Sequence, residues 1–127
     1  MIQVTCAIIV KDEKVLVAQR SELMKQPLKW EFPGGKVEAN ESAEACLIRE
    51  IQEELSLHIE IQSSLPAHTY DYGTFQINLI PFVAKPLSEQ IVLKEHATYA
   101  WLNRDELLTL DWAPADIAIV HDFLHSY

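Results

Sequence analysis

The chain has 127 residues, 49% hydrophobic and 23% charged, which suits one folded domain over residues 1–127 and excludes a disordered chain. Its formal net charge of −9 argues against binding a nucleic-acid duplex, because that requires a basic face. The apolar run Cys6–Val10 is far too short to span a membrane, and Met1–Ile2–Gln3 does not begin like a secretory signal, so no membrane association and a cytoplasmic location are expected. Cys6 and Cys46 stand far apart with no CxxC spacing, and read as buried, reduced thiols.

Taken in order, Gln3–Val10 alternates as a strand, with Val4, Cys6, Ile8 and Val10 on one side. Lys11–Lys14 is a polar turn, and Val15–Gln19 completes a hairpin that Arg20 ends. Ser21–Leu28 reads as a loop and Lys29–Phe32 as a short strand, followed by a glycine loop at Gly34 and Gly35. A helix is predicted from near Asn40–Ser42 to about Ser56, with Asn40 as its N-cap and Ile48, Ile51 and Leu55 as its core stripe. From Leu57 to Gln62 the period becomes two. His68–Tyr72 and Thr74–Ala84 follow as strands around Gly73, and Pro81 implies an edge or a bulge in the second. Thr98–Leu102 is a further strand, Asn103–Glu106 has capping-box spacing for a short helix to about Leu110, and Ala113–Asp116 opens the last helix. Strands and helices in this order predict a mixed α/β class with helices packed on one sheet.

The chemistry concentrates in the first helix. Glu50, Glu53 and Glu54 are three and four residues apart and share a face, where like charges repel. A bound divalent cation with oxygen ligands would offset that repulsion. The bland alternative is a solvated acidic face with Arg49 and Glu53 as an ordinary i,i+4 pair.

The spacing decides between them. Gly35, five residues, Glu41, seven residues, then Arg49-Glu-Ile-Gln-Glu-Glu-Leu-Ser-Leu57 is similar to the Nudix box, GX5EX7REUXEEXGU, where U is a bulky aliphatic. Ser56 departs from it, standing where the family has a helix-ending glycine. Trp30–Glu38 and Ala18–Arg20 also resemble segments of MutT-type enzymes, and Ala113–Ile117 resembles the base-recognition segment of MutT-like and CTP pyrophosphohydrolase-like members.

The resemblance implies a Nudix-type α/β/α sandwich around a mixed sheet. It implies Mg²⁺-dependent hydrolysis of nucleoside triphosphates to monophosphate and pyrophosphate, with Mn²⁺ as a substitute metal. The implied metal ligands are the Gly34 carbonyl, Glu50, Glu53, Glu54 and Glu95. Glu53, Glu50 and Glu95 are the catalytic carboxylates, with Glu53 either base or pure ligand, and Arg49 orients them. Gly35 and Glu41 are structural, Glu41 bracing the loop or Arg49. Arg20, Lys36, Phe32 and Asp116 are the substrate-binding candidates, although Phe32 equally suits the core. An acidic Asp116 accepts hydrogen bonds, from a cytosine 4-amino group or the N–H groups of guanine, where MutT itself has an amide. Its bland role is to favour the last helix's N-terminus. The expected partner is a small nucleotide, with 8-oxo-dGTP and CTP or modified dCTP as candidates, and the expected assembly is a monomer or homodimer. Two alternatives are hydrolysis of ADP-ribose, NADH or a dinucleoside polyphosphate, and a non-catalytic nucleotide-binding module.

Overall fold

The computed structural model describes residues 1–127. It contains strands β1 (Ile2–Lys11), β2 (Lys14–Gln19), β3 (Trp30–Glu31), β4 (Gly34–Lys36), β5 (Ile59–Ser64), β6 (His68–Asp71), β7 (Gln76–Pro86) and β8 (Thr98–Leu102), with helices α1 (Ala43–Leu55) and α2 (Ile117–Ser126). The main sheet runs β3-β2-β1-β7-β5; β4 pairs with β1, β6 with β7 and β8 with β2. The pairing of β1 with β7 is parallel and the other strand pairings are antiparallel, so the sheet is mixed as expected.

The period of two along β1 builds the layers. Cys6 and Ile8 join one core with Ile119, Val120 and Phe123 of α2. Ala7 and Ile9, on the other face, join a second core with Leu47, Ile51 and Leu55 of α1. Each large aliphatic fully buried this way contributes about 1.5–3 kcal/mol, so the two helices clamp the sheet from both sides. No helix is long and apolar enough to cross a membrane.

Several local expectations are corrected. The α1 N-cap is Ser42, whose hydroxyl accepts from the Ala45 N–H at 3.1 Å; Asn40 instead turns the chain at φ +64°. Ile48 is exposed, and Leu47 takes its place in the stripe, a one-residue change of helical phase. Ser56 ends α1 in the left-handed region at φ +54°, the conformation a glycine would adopt freely. The glycine loop is itself a strand, because Gly34–Lys36 pairs with Val4–Cys6. β7 is an inner strand, and Pro81 lies where its neighbour changes from β5 to β6. There the Pro81 carbonyl accepts from the Leu65 N–H at 3.1 Å, and the missing proline donor interrupts no ladder. The Asn103 segment forms a tight 3₁₀ helix over Arg104–Thr109, with the Glu106 carboxylate accepting from the Asn103 N–H at 2.9 Å. Ahead of α2, Pro114–Asp116 forms one 3₁₀ turn.

β1 changes neighbour along one edge. Val4–Cys6 lie beside β4, whereas Val10–Lys11 lie beside β2. The sheet forks between them, and the largest cavity opens in the fork.

Candidate active site

The cavity measures about 600 Å³. Of the residues singled out by sequence, Arg20, Phe32, Gly34, Gly35, Lys36, Glu54 and Asp116 line it, although they span nearly a hundred positions. Arg49, Glu50 and Glu53 lie along α1 beside it, with Glu41 just ahead of the helix. Glu95 is exposed on the loop between β7 and β8.

Arg49 organises the helix carboxylates. Its guanidinium donates to Glu41 from Nε at 2.7 Å and Nη2 at 3.0 Å, and from Nη1 to Glu50 at 3.0 Å and Glu53 at 3.1 Å. Glu41 also accepts from the Glu38 N–H at 3.1 Å, so it braces both the loop and the arginine. The hydrogen bonds from Arg49 hold the Glu41 carboxyl down at about 2.

Glu54 lies apart from this set. Its side chain turns toward the cavity, and its Oε2 is buried without a hydrogen-bond partner. Burial, then the charges of Glu31, Glu50 and Glu95, push its carboxyl up to about 9. No three carboxylates converge on one point, since Arg49 draws Glu50 and Glu53 to itself. An orphaned buried oxygen among excess negative charge is nevertheless the donor set a hard divalent cation takes. Gly35 makes room for it: a Cβ there would stand 2.4 Å from Glu50 Oε2. These residues therefore fit a hard divalent cation.

The opposite side of the cavity is aromatic and acidic. Phe32 is buried against Trp112 with ring centroids 4.8 Å apart, so it serves the core and lines the cavity at once. Asp116 is buried, and its Oδ2 accepts from the Phe32 N–H at 2.9 Å. It stands at the N-terminus of α2, and its side chain makes no capping hydrogen bond there. Burial and then Glu31 push the Asp116 carboxyl well above the usual carboxylate range, while the Phe32 N–H and Arg20 pull it back.

Sequence reasoning did not assign Glu31 or His96 to this region. Glu31 accepts from Arg20 Nη1 at 2.7 Å, and its other oxygen lies 2.7 Å from His96 Nε2. His96 is buried, and its Nδ1 has no partner. Glu31 lies inside the quoted Trp30–Glu38 segment, and that position was the available signal; the pairing with His96 spans 65 residues and leaves none. Tyr72, Phe75 and Lys25 also line the cavity, with Lys25 Nζ 4.7 Å above the Phe75 ring and the Tyr72 and Phe75 rings stacked at 5.1 Å.

A mixed sheet clamped by two helices, with a carboxylate-bearing helix beside a forked-sheet cavity, is the layering that the sequence resemblance implies. The chain matches the NUDIX domain family over residues 1–123 and belongs to that family. It is 35% identical over 124 residues to the CTP pyrophosphohydrolase of Escherichia coli (strain K12), covering 98% of this chain and 92% of that one. It is 30% identical over 119 residues to the 8-oxo-dGTP diphosphatase of Buchnera aphidicola subsp. Schizaphis graminum, covering 94% and 90%. Among solved structures it superposes with TM-score 0.80 on MutT, a Nudix-family hydrolase of methicillin-resistant Staphylococcus aureus 252, at 41% identity over 99% of this chain and 97% of that one.

Proposed function

We propose that this Nudix hydrolase cleaves (deoxy)nucleoside triphosphates to a monophosphate and pyrophosphate, clearing damaged or surplus nucleotides from the pool. The observation that carries this reading is the shared cavity. The orphaned Glu54 carboxyl and the buried Asp116 carboxyl line one volume of about 600 Å³, the size that holds a small ligand.

Each side has its own task. Glu50, Glu53, Glu54, Glu95 and the Gly34 carbonyl would hold Mg²⁺, or Mn²⁺ in its place. A divalent ion held there would supply charge to polarise phosphate oxygens and to acidify a water. Glu53, with 60% of its side chain exposed, and the exposed Glu95 are the carboxylates we assign as acceptors of the attacking water's proton. The water oxygen adds to a phosphorus flanking the α–β bridging oxygen, and the bond from that phosphorus to the bridge breaks. Arg49 keeps Glu50 and Glu53 oriented while Glu41 anchors it. Arg20 and Lys36 at the cavity wall contact the nucleotide. Phe32 packs against the base, and Asp116 accepts from its exocyclic amino group or ring N–H. Cytosine nucleotides and 8-oxo-dGTP are the substrates this acceptor suits.

The test is a panel of nucleoside triphosphates with Mg²⁺, read by pyrophosphate release. Turnover of a cytosine or oxidised guanine triphosphate is expected, and Glu53→Gln should lower kcat by about 10²–10⁴-fold with the fold retained. Absence of pyrophosphate from every triphosphate, or preferential release of AMP from ADP-ribose, would reject the reading.

A further inference from the structure

A second depression of about 520 Å³ lies on the other side of α1 from the cavity, lined only by polar residues that include Arg49, Glu53, His58 and Lys94. Helical phase explains the arrangement. Glu50 and Glu54 project toward the cavity side of α1, Arg49 and Gln52 project away from it, and Glu53 lies between.

Lys94 is fixed beside this row by its backbone. The segment before β8 is stitched to the end of α1, with the Val92 N–H donating to the Leu55 carbonyl at 2.9 Å and the Lys94 N–H to the Glu54 carbonyl at 3.2 Å. Lys11, Lys29 and Lys85 pair with carboxylates, whereas the exposed Lys94 pairs with none. Arg49, the other strong cation here, is committed to Glu41, Glu50 and Glu53. In a chain of net charge −9, Lys94 is thus an uncommitted cation on this side of the helix carboxylates, as Lys36 is on the cavity side.

We propose that Lys94 and the depression it rims form the subsite for the terminal phosphates of the substrate, and hence for the pyrophosphate product. This rests on the pyrophosphohydrolase reading above and adds a direction to it. A nucleotide with its base on Asp116 and its phosphate chain laid across α1 ends over Lys94. The ammonium there meets the end of the chain with the highest charge.

Lys94 has one competing role. The last turn of α1 carries no basic residue, and Lys94 could merely balance the negative end of the helix. Product inhibition separates the two. Inhibition constants for inorganic pyrophosphate and for the nucleoside monophosphate are measured at fixed free Mg²⁺ for the wild type, Lys94→Gln and Lys94→Arg. Loss of one charge-assisted contact should raise the pyrophosphate constant about tenfold in Lys94→Gln, with the monophosphate constant changed by less than about twofold and the pyrophosphate constant recovered in Lys94→Arg. A pyrophosphate constant close to wild type, or parallel weakening of both products together with a lowered Tm, overturns the subsite while leaving the reaction intact. A wild-type enzyme that turns over no triphosphate overturns both readings.

Discussion

Arg49 grips Glu41 through two hydrogen bonds, at 2.7 and 3.0 Å, tying the approach to α1 to the middle of the helix. The Glu41 carboxyl consequently titrates at about 2 in the fold, against 4.5 ordinarily. A depressed carboxylate pKa stabilises the fold above the unfolded value and is lost as pH falls through the folded one. Thermal melts should therefore show Tm falling between pH 4.5 and 2. Glu41→Gln should be less stable than wild type at neutral pH and show a shallower fall in that window. Parallel pH profiles for the two proteins would show that the pair contributes nothing.

The adjacent glycines should respond differently to the same substitution. A Cβ on Gly34 would lie 1.9 Å from the Thr5 carbonyl oxygen, which is backbone of the central strand and cannot step aside. Gly34→Ala should cost about 1–3 kcal/mol in chemical denaturation, as overpacking does. A Cβ on Gly35 meets the flexible end of Glu50 instead. Gly35→Ala should keep most of its stability and lose about 10–100-fold in Mg²⁺ affinity or activity, because Glu50 is pushed off its position. Equal stability losses in the two variants would contradict this division.

Asp116→Asn probes the base side. The amide keeps an acceptor for the Phe32 N–H and adds a donor to the cavity. One well-formed polar contact to a base edge discriminates by about 1–3 kcal/mol, so the ratio of kcat/KM for dCTP over 8-oxo-dGTP should fall about tenfold or more. The same variant reports on stability. The Asp116 carboxyl is raised in the fold, so its cost is absent at low pH and grows as pH rises above the ordinary carboxylate range toward the folded value. The Tm advantage of Asp116→Asn should widen from acid to alkaline pH. An unchanged base ratio would remove Asp116 from recognition.

Ser56 holds a left-handed conformation at φ +54° and ψ +31°, with its N–H bonded to the Gln52 carbonyl at 2.9 Å. A side chain in that region costs more than glycine does. Ser56→Gly should therefore gain roughly 0.5–1 kcal/mol in urea unfolding. A loss would mean that the serine side chain compensates elsewhere.

What could be read beforehand was what is local and periodic. The alternation in β1 gave its two faces, β8 lies within its expected bounds, and the spacing Gly35–Glu41–Arg49–Glu54 identified the family. Phase and pairing were harder. Ser42 and Asn40 are both good N-caps two residues apart, and only the turn at Asn40 decides between them. Leu47 and Ile48 are adjacent apolar residues, and the sheet they face selects Leu47. β4 has two glycines and no strand propensity; it becomes a strand because β1 offers it an edge. The contact of His96 with Glu31, and that of Lys25 with Phe75, join distant segments that no local pattern links.

The fork in β1 has a consequence for how such a protein can change. Phe32 and Asp116, which line the cavity, come from the segment after β3 and the turn before α2. Glu50, Glu53 and Glu54 come from one helix behind β4. Glu54 meets Phe32 and Asp116 across the cavity, and the two groups share no secondary-structure element. Under the proposed assignment, substitutions at the α2 approach exchange one base for another without disturbing the carboxylate helix, so a lineage can sample new substrates while inheriting the same bond-breaking apparatus.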